Sequence, residues 1–495
     1  MNLTELLNGV TDKFKLSTPE SKIEIKGLSL DSRKVEQGFV FIALAGATHH
    51  GLFFVQQAIK NGAFAVIYDP QGSESFALDE LNIYSLAIKN LGSKLGDIAN
   101  RFYQSPSAAL DVIGITGTNG KTTCSQFLLQ ILPKCGVIGT LGWGEKGDLK
   151  ETANTTPDAL AVHSMLANFV SLNKKTVVME VSSHGLQQGR VNAVSFKGAL
   201  FINLSRDHLD YHGSMADYLQ AKLMLFQQPD LQFVVVNTDD ANSELFLTAA
   251  PKEAKRWSFS VTGNKSHLTE NVVANKIDFS LDGIKFFVYW RNEKAWVQTK
   301  IVGDFNLENL LAVITVLLAK GYSLSAAANM VEQLIPVKGR MESFGGKGKP
   351  FVFVDYAHTP DALEKLLKNL KKYSQQKIYL IFGCGGNRDK GKRVQMAKIA
   401  EKFADHVVVT NDNPRFERPE QIIKEIIDGF KNKDCDVIQN REKAIQKVIK
   451  KANKNDCVVI AGKGHEEYQE INGIKHPFSD QDIVMRELQQ WIPSL

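Results

Sequence analysis

The sequence predicts an α/β fold with largely parallel sheets, divided into three domains. Ten short, β-rich apolar runs recur along the chain, and amphipathic helix-like segments separate them, which is typical of parallel α/β sheets. A chain of 495 residues is also too long for one hydrophobic core and indicates roughly two to four domains. The predicted strands begin at residues 39, 63, 112, 176, 198, 233, 351, 377, 406 and 457.

The ten runs fall into three groups, and these groups set the predicted domain boundaries. The first group ends near residue 90, and the third follows the Gly- and Pro-rich stretch IPVKGRMESFGGKGKP. Within the second group, KIDFSLDGIKFFVYW predicts an antiparallel hairpin, because Asp282 and Gly283 separate two β-rich segments. We therefore expect domains at residues 1–90, 91–335 and 336–495.

Composition excludes several classes of protein. With 43% hydrophobic and 23% charged residues, the chain has the composition of a soluble globular protein. The net charge of +5 is spread over helix faces such as EKLLKNLKKY, which favours a solvated surface over nucleic-acid binding. The five cysteines include no C-x-x-C pair, which argues against a disulfide framework and against a zinc site.

The same features predict where the protein works. The N-terminal segment has charges among its apolar residues and therefore no signal-peptide core, and the longest apolar run, LLAVITVLLA, is too short to span a membrane. We expect a monomer in the reducing cytoplasm, without a nucleic-acid or membrane partner.

The run VIGITGTNGKTTCSQFLLQIL predicts a phosphate-binding loop, because it passes from a strand through glycines into a helix. Backbone N–H groups and the helix N-terminus would hold phosphates, Lys121 would reach the β and γ phosphates, and Thr122 would ligate Mg²⁺. The spacing departs from G-x-x-x-x-G-K-[ST], since residue 115 is Ile, and a turn that merely packs is the alternative. The predicted loop comprises Gly117, Thr118, Asn119, Gly120, Lys121, Thr122 and Thr123.

Three further residues are candidates for metal chemistry. Glu180 ends the strand TVVMEVSSHG, where ligands of open α/β sheets collect, and His208 follows in NLSRDHLDYHG. Both could complete the shell of one or two Mg²⁺ ions, although a loop histidine often has a purely structural role. Lys222 lies among apolar helix residues, and a metal bound nearby would repel its ammonium. The alternative is that Lys222 is a surface lysine whose charged end reaches solvent.

The motifs TGTNGKTT and YLQAKLMLF resemble those of the Mur ligase superfamily, ATP-dependent amide-forming enzymes of peptidoglycan synthesis with folate and cyanophycin relatives. The resemblance implies a small N-terminal α/β domain that binds UDP, a central P-loop ATPase domain with a parallel sheet and a Rossmann-like C-terminal domain. It also implies that CO₂ converts Lys222 into a carbamate that ligates metal together with Thr122, Glu180 and His208.

The resemblance assigns further ATP contacts. Asn306 and Asn309 resemble the adenine-side asparagines, Arg340 resembles the phosphate-contacting arginine, and Asp355 resembles the ribose-binding acid. Each of these residues could instead be a helix cap or part of a surface ion pair.

The nucleotide-peptide substrate is assigned to two regions by the same resemblance. The pattern in LSLDSRKVEQGFVFIALAG implies that Leu30, Asp31, Ser32 and the turn Ala47 to His49 bind UDP, with a packing hairpin as the alternative. The muramoyl-dipeptide part is implied to contact Asn154, Thr155, Thr156, Ser182, Gln188 and Arg190.

The third domain carries the residues implied for the incoming amino acid, and all of them follow strand ends. A guanidinium can bind the extra carboxylate of meso-diaminopimelate bidentately, so Arg415 should select it over lysine. The alternative is a loop arginine paired with Glu417 or Glu420. One departure is Asn387 in CGGNRD, where the family commonly has Asp. The implied residues are Arg388, Asp412, Asn413, Pro414, Arg415, Gly462 and Glu466.

The resemblance therefore implies an ATP-dependent ligase. It would add meso-diaminopimelate to the D-Glu γ-carboxylate of UDP-N-acetylmuramoyl-L-alanyl-D-glutamate through an acyl phosphate, with Mg²⁺ and with closure of the third domain. Other ligases of the superfamily, either lysine-adding or folylpolyglutamate synthetase-like, are the nearest alternatives. A nucleotide-binding regulator or GTPase switch is the alternative from another class.

Overall fold

The computed structural model describes residues 1–10, 23–46, 49–76, 83–263, 267–432 and 435–492. They form two compact units, one mainly from residues 1–259 and the other mainly from residues 272–495. All ten predicted apolar runs are strands, so the predicted α/β fold is confirmed. The predicted domain boundaries at residues 90 and 335 stay predictions.

The first unit begins with a small parallel sheet in the order β1-β2-β3-β4. Alternate residues of β2 point to opposite faces, so that Ile42 packs against one helix layer and Phe41 against the other. The elements are α1 (Leu3–Leu7), β1 (Gly27–Ser29), β2 (Phe39–Ala43), α2 (Val55–Lys60), β3 (Ala63–Tyr68), β4 (Tyr84–Ala87) and α3 (Leu91–Phe102).

The rest of the first unit is built on a second sheet, which is parallel except for two strands at one edge. Its elements are β5 (Asp111–Thr116), α4 (Lys121–Ile131), β6 (Cys135–Gly139), β7 (Gly142–Glu145), β8 (Asp148–Lys150), α5 (Ala159–Ser171), β9 (Thr176–Glu180), α6 (Ser183–Gln187), β10 (Phe196–Phe201), α7 (Leu209–His212), α8 (Met215–Phe226), β11 (Phe233–Asn237), α9 (Ser243–Ala249) and β12 (Lys255–Ser260). Their order is β12-β11-β10-β5-β9-β6-β7-β8, so β5 and β9 are central neighbours. This order brings the phosphate loop after β5 beside Glu180 at the end of β9.

The second unit begins with an antiparallel meander and two helices. In the predicted hairpin Ser280 pairs with Gly283, so Leu281 and Asp282 form the turn and Gly283 opens the next strand. A Cβ on Gly283 would lie 1.9 Å from the Thr299 carbonyl oxygen, which explains the glycine. The elements are β13 (Asn271–Ser280), β14 (Gly283–Trp290), β15 (Glu293–Thr299), α10 (Asp304–Ala319) and α11 (Leu324–Glu332). Within the described ranges, no helix is long and apolar enough to cross a membrane.

A doubly wound sheet forms the remainder of the second unit, as expected for a Rossmann-like arrangement. Its elements are β16 (Glu342–Gly345), β17 (Phe351–Asp355), α12 (Pro360–Tyr373), β18 (Ile378–Phe382), α13 (Gly391–Phe403), β19 (His406–Val409), α14 (Pro419–Ile427), β20 (Asp436–Val437), α15 (Arg441–Lys451), β21 (Cys457–Ala461), β22 (Tyr468–Ile471), β23 (Ile474–Pro477) and α16 (Asp480–Gln489). The strand order is β16-β17-β21-β18-β19-β20, and only β16 is antiparallel to its neighbour. Helices α12, α13 and α14 cover one face, and α15 and α16 cover the other. The loops after β17, β18, β19 and β21 therefore meet at one edge of the sheet.

Candidate active site

The predicted phosphate loop connects β5 to α4 and is held by Asn203 from the loop after the neighbouring strand β10. Gly120 caps α4 with φ +88°, a left-handed conformation that favours glycine. The backbone N–H of Asn119 donates to Asn203 Oδ1 at 2.9 Å, and that of Thr118 donates to the Asn203 carbonyl at 2.9 Å. Lys121 Nζ donates to the carbonyls of Gly117 and Thr118 at 2.6 and 3.0 Å. The N-terminus of α4 and the Lys121 ammonium thus lie together, as an anion site requires.

Glu180 lies beneath this loop as a buried carboxylate surrounded by donors. Its Oε2 accepts hydrogen bonds from the hydroxyls of Thr122 at 2.8 Å and Thr140 at 2.9 Å. Its Oε1 accepts from the Ser125 hydroxyl and from the Thr140 backbone N–H, both at 3.1 Å. A Cβ on Gly139 would lie 2.2 Å from Oε1, so only glycine leaves room for this carboxylate.

The donor set at this point fits Mg²⁺, because Thr122 and Glu180 supply hard oxygen ligands in direct contact. Across the described ranges, no three His, Cys, Asp or Glu side chains converge closely enough to hold a metal ion by themselves. A bound cation would therefore need oxygen atoms from a phosphate or from a modified side chain as well.

Lys222 is not a surface lysine, because its side chain is buried with 1% exposure. Its Nζ donates to the Gly117 carbonyl at 3.0 Å and lies 4.4 Å from the Tyr218 ring centre. Burial first, and the nearby Lys121 ammonium second, hold the pKa of Lys222 well below its usual range. Within the described residues no carboxylate forms an ion pair with it, so the neutral amine is favoured.

His208 belongs to a cluster of aromatic rings beside Lys222. Its ring centre lies 4.8 Å from that of His184 and 6.1 Å from that of Tyr218, which also contacts Lys222. Burial, followed by the neighbouring His208, lowers the pKa of both His184 and His212, which favours neutral imidazoles. Among the described residues, no direct hydrogen bond joins His208 to Glu180.

The residues implied for the dipeptide lie mostly in one hydrogen-bonded group near Glu180. Arg190 donates to the Thr156 carbonyl at 2.7 Å and, through Nε and Nη2, to Gln188 Oε1 at 3.0 and 2.6 Å. The Thr156 hydroxyl donates to the Glu180 carbonyl and contacts the Ser182 hydroxyl, each at 3.0 Å. Arg190 is therefore oriented by neutral acceptors, and no carboxylate of the described residues pairs with it.

The other two dipeptide-binding candidates behave differently. The Thr155 hydroxyl lies 3.0 Å from that of Thr140 and so joins the group through Glu180. Asn154 is exposed on the loop before α5.

The residues implied for UDP lie after β1. Ser32 is buried and donates to Gln57 Oε1 at 2.7 Å, while Leu30 packs against the core of the small sheet. The pKa of Asp31 is lowered to about 2, mainly by its hydrogen bond with Arg33. Ala47 and Thr48 of the predicted turn lie outside the described residues, and His49 follows them.

The residues implied for ATP in the second unit form a buried group of two asparagines and a half-buried group around Asp355. Asn306 donates to the Val302 carbonyl at 2.7 Å, and Asn309 donates to Asn306 Oδ1 at 3.0 Å. Asp355 accepts from the backbone N–H groups of Met341 and Ala357 at 2.6 and 2.8 Å. Burial raises the pKa of Asp355, and the charge of Arg340 only partly opposes that shift.

Arg340 lies on an aromatic support. Its guanidinium carbon is 4.7 Å from the ring centre of Tyr356, and the His465 ring lies 5.0 Å from that of Tyr356. Burial and the charge of Arg340 lower the pKa of His465 to about 4, so this imidazole is neutral at pH 7. The Arg340 Nε has no hydrogen-bond partner among the described residues.

The loops after β18, β19 and β21 bring the amino-acid candidates together. Gly386 N–H donates to the Asn413 carbonyl at 2.9 Å, and Asn413 Nδ2 donates to Glu466 Oε2 at 2.8 Å. Gly462 has φ +113°, a left-handed conformation that favours glycine. Pro414 packs its carbonyl against Gly386. Arg388 is exposed at the rim of the same group.

Arg415 pairs with a carboxylate that the sequence analysis did not consider. Its Nε donates to Glu470 Oε2 at 3.0 Å, and its Nη1 donates to the Gly386 carbonyl at 2.9 Å. The alternative pairing with Glu417 or Glu420 is wrong: Glu417 is bound to Arg393 instead, at 3.0 Å. Nη2 of Arg415 has no protein partner among the described residues.

Comparison with known proteins identifies the family. Residues 24–103 match the catalytic domain of the Mur ligase family, residues 115–317 match the Mur ligase middle domain, and residues 339–464 match the Mur ligase glutamate ligase domain. The chain belongs to the Mur ligase family.

Similar proteins cover nearly all of this Mur ligase. A UDP-N-acetylmuramoyl-L-alanyl-D-glutamate–2,6-diaminopimelate ligase from Ectopseudomonas mendocina is 42% identical, over 96% of this chain and 97% of its own. The protein of the same name from Pseudomonas aeruginosa is 43% identical, over 95% and 96%. A solved structure of a ligase with this name aligns with a TM-score of 0.71 and 35% identity, covering 99% of both chains.

Several residues that organise the site of this Mur ligase escaped the sequence analysis. Asn203, Ser125 and Thr140 hold the phosphate loop and Glu180, while Glu470 and Lys463 hold the amino-acid loops. Three of them had a signal: Ser125 lies in the predicted phosphate-loop run, Asn203 opens NLSRDHLDYHG, and Lys463 lies between the predicted ligands Gly462 and Glu466. Thr140 and Glu470 lie outside the segments quoted above.

The departure at Asn387 should have little effect. Its Oδ1 accepts from the Phe416 backbone N–H at 3.0 Å, and an Asp carboxylate can accept the same bond. We expect Asn387→Asp to change kcat/KM by no more than about two-fold, whereas Asn387→Ala should lower it several-fold because the acceptor is lost. Steady-state kinetics of the two variants would check this, and a fall above ten-fold in Asn387→Asp would contradict it.

Proposed function

We propose that this Mur ligase joins meso-diaminopimelate to the D-glutamyl γ-carboxylate of UDP-N-acetylmuramoyl-L-alanyl-D-glutamate, with ATP as the energy source, in peptidoglycan precursor synthesis. The names and coverage of its relatives support this substrate pair. The observation that carries the proposal is the geometry of Arg415. Glu470 and Gly386 fix its guanidinium, and Nη2 is left for a further acceptor.

Diaminopimelate has such an acceptor. It differs from lysine by a carboxylate at its far end, which a fixed guanidinium can bind with charge-assisted hydrogen bonds. Asn413 and Arg388 add donors around the same loops, and Glu466 adds a carboxylate for an ammonium group. A lysine-adding ligase of the same family is the second candidate, and Arg415 is the residue that argues against it.

The phosphoryl chemistry is assigned to the first unit. The substrate carboxylate attacks the γ-phosphorus of ATP, giving an acyl phosphate and ADP, and the amine of diaminopimelate then displaces phosphate to form the amide. Lys121 would offset charge on the transferring phosphoryl group, and Arg190 would bind a carboxylate of the dipeptide. Thr122, Glu180, His208 and the modified Lys222 would hold Mg²⁺, which supplies further charge compensation. No side chain has to form a covalent intermediate.

Lys222 is proposed to carry a CO₂-derived carbamate. Carbamate formation needs a neutral amine, and the buried site beside Lys121 disfavours a second ammonium. The modification would replace repulsion between two cations by attraction between Lys121 and an anion. It would also supply the oxygen ligands that the described His, Cys, Asp and Glu side chains do not provide as a group.

The remaining roles are part of the same proposal. Asn306, Asn309, Arg340 and Asp355 would contact ATP, and Leu30 and Ser32 would contact UDP. We also propose the division into domains at residues 1–90, 91–335 and 336–495, a monomeric state and a cytoplasmic location.

The proposal is tested by phosphate release with ATP, Mg²⁺ and the UDP-linked dipeptide, comparing meso-diaminopimelate with L-lysine. We expect strong release with diaminopimelate and little with lysine. Arg415→Met should lower kcat/KM for diaminopimelate about 10- to 100-fold, which corresponds to the loss of the binding free energy of one or two charge-assisted hydrogen bonds. The exposed Arg418 on the same loop offers the matched control Arg418→Met, which should leave the rate unchanged.

Each other result has a distinct meaning. Equal release with both amino acids, or more with lysine, would keep the ligase and contradict the role of Arg415. No release with either would contradict the substrate pair and favour a folylpolyglutamate synthetase-like reaction, which adding a folate and glutamate would test.

A further inference from the structure

Lys463 is a fully buried lysine at the centre of the amino-acid loops, with 0% exposure. Its Nζ donates to Asn413 Oδ1 at 2.9 Å and to Glu466 Oε2 at 3.0 Å. Asn413 Nδ2 donates to the same Glu466 oxygen at 2.8 Å, so the three side chains form a closed triangle. A buried ammonium is costly unless it is paired, and here one carboxylate and one amide oxygen pair it.

The orientation of the Asn413 amide follows from this triangle. Its Oδ1 has two neighbours, Lys463 Nζ and the backbone N–H of Glu470 at 3.0 Å, and both can only donate. Only the amide oxygen can accept from both, so Nδ2 must face the other way. One hydrogen of Nδ2 binds Glu466, and the second is left to donate to a ligand.

The same contacts continue to Arg415. Asn413 Oδ1 holds the backbone of Glu470, and the Glu470 carboxylate holds Arg415 Nε at 3.0 Å. Lys463 therefore stands at one end of a chain of hydrogen bonds that ends on the guanidinium. The Tyr468 ring, 5.4 Å from Nζ, closes the site on one side.

We propose that Lys463 is a positioning residue that makes this site selective for an amino acid with two carboxylates. By fixing the Asn413 amide and, through Glu470, the Arg415 guanidinium, it makes both residues present N–H donors. It also pairs with the Glu466 carboxylate at 3.0 Å and so holds it in place to bind a substrate ammonium. The inference rests on the proposed function, because it concerns the amino acid that the ligase adds.

The test is the kinetics of Lys463→Met and Lys463→Arg, with the exposed Lys454→Met as the matched control. We expect Lys463→Met to raise KM for diaminopimelate at least ten-fold, to leave KM for ATP within two-fold, and to lower the preference for diaminopimelate over lysine at least five-fold. Lys463→Arg keeps the charge and should recover part of the preference, while Lys454→Met should change nothing.

A double-variant cycle separates positioning from a general loss of structure. If Lys463 acts through Asn413, then the rise in KM of Lys463→Met combined with Asn413→Ala should be well below the product of the two single rises. Additive effects, or an unchanged preference in Lys463→Met, would overturn the proposal. If Lys463→Met does not fold, Lys463→Arg takes its place. A preference for diaminopimelate over lysine in Lys463→Arg equal to that of the control Lys454→Met would also overturn the proposal, whereas a lower preference would support it.

Failure of the proposed function would look different. It would appear in the wild-type enzyme as no turnover of diaminopimelate, whatever the variants do. In that case KM of the variants and of the wild-type enzyme would be compared for the amino acid that the wild-type enzyme does accept.

Discussion

Replacing Lys222 with Met should abolish most ligase activity while leaving the fold intact. The Met side chain fits a buried site whose only hydrogen bond among the described residues runs from Nζ to the Gly117 carbonyl. It cannot form a carbamate, so the site loses an anion that would ligate metal and face Lys121. We expect kcat to fall about 100- to 1,000-fold, the usual effect of removing one group that stabilises transition-state charge. Diaminopimelate-dependent phosphate release would measure the fall, and thermal unfolding would show that the midpoint is not lowered.

The modification itself can be observed separately. With ¹³C-labelled bicarbonate, wild-type protein should show a carbamate carbonyl resonance that is absent from Lys222→Met. Lys222→Arg keeps a positive charge but cannot be carbamoylated, so it should be as inactive as the Met variant. Full activity in Lys222→Arg would contradict the carbamate, since a cation would then be sufficient.

The sequence was a good guide to the strands because parallel strands buried on both faces need continuous apolar runs. Each such run, for example the one that forms β9 and ends at Glu180, can be recognised in the sequence without knowing which strands lie beside it. Short edge strands carry no such signal. The two-residue strand β20 and the β22–β23 hairpin, with its exposed Ile474, were not predicted for this reason.

The residues of the site also fall into those that the sequence could predict and those that it could not. Residues within motifs, such as Lys121 and Arg415, could be found because loops at strand ends use particular side chains. Their partners could not, because those partners come from distant segments. Sequence proximity suggested Glu417 for Arg415, but the pairing of Arg415 with β22 brings in Glu470, 55 residues away. Strand order, rather than local sequence, decides such contacts.

Burial is the other property that the sequence did not reveal. Lys222 stood out only by its apolar neighbours, with a surface lysine as the alternative, and Lys463 did not stand out at all, yet both are almost inaccessible to solvent. They differ in what surrounds them: Lys463 has a carboxylate within 3.0 Å, and Lys222 has none among the described residues. The paired lysine is suited to hold its neighbours in place, and the unpaired one is suited to react.

A third buried cation should control the stability of the second unit. Arg441 in α15 and Asp480 in α16 are each almost fully buried and form a two-bond ion pair, Nε to Oδ1 and Nη2 to Oδ2, both at 2.8 Å. Arg441 Nη2 also donates to the Ala461 carbonyl at 3.0 Å, next to Gly462 of the amino-acid loops. Asp480→Ala would leave the guanidinium buried without a counter-charge, which should lower the free energy of unfolding by about 3–5 kcal/mol.

Hydrogen exchange during urea titration would measure this in each unit separately. Peptides from α15 and β21 should lose protection at lower urea in Asp480→Ala, whereas peptides from α4 in the first unit should not change. Arg441→Met combined with Asp480→Leu removes both charges and should restore most of the stability, because no unpaired ion remains. The exposed pair of Lys447 and Asp436 provides the surface control, and Asp436→Ala should cost less than about 1 kcal/mol. If Asp480→Ala lowered the free energy of unfolding as little as Asp436→Ala, water would have to reach Arg441. The buried ion pair would then not be what holds the end of β21 beside Gly462.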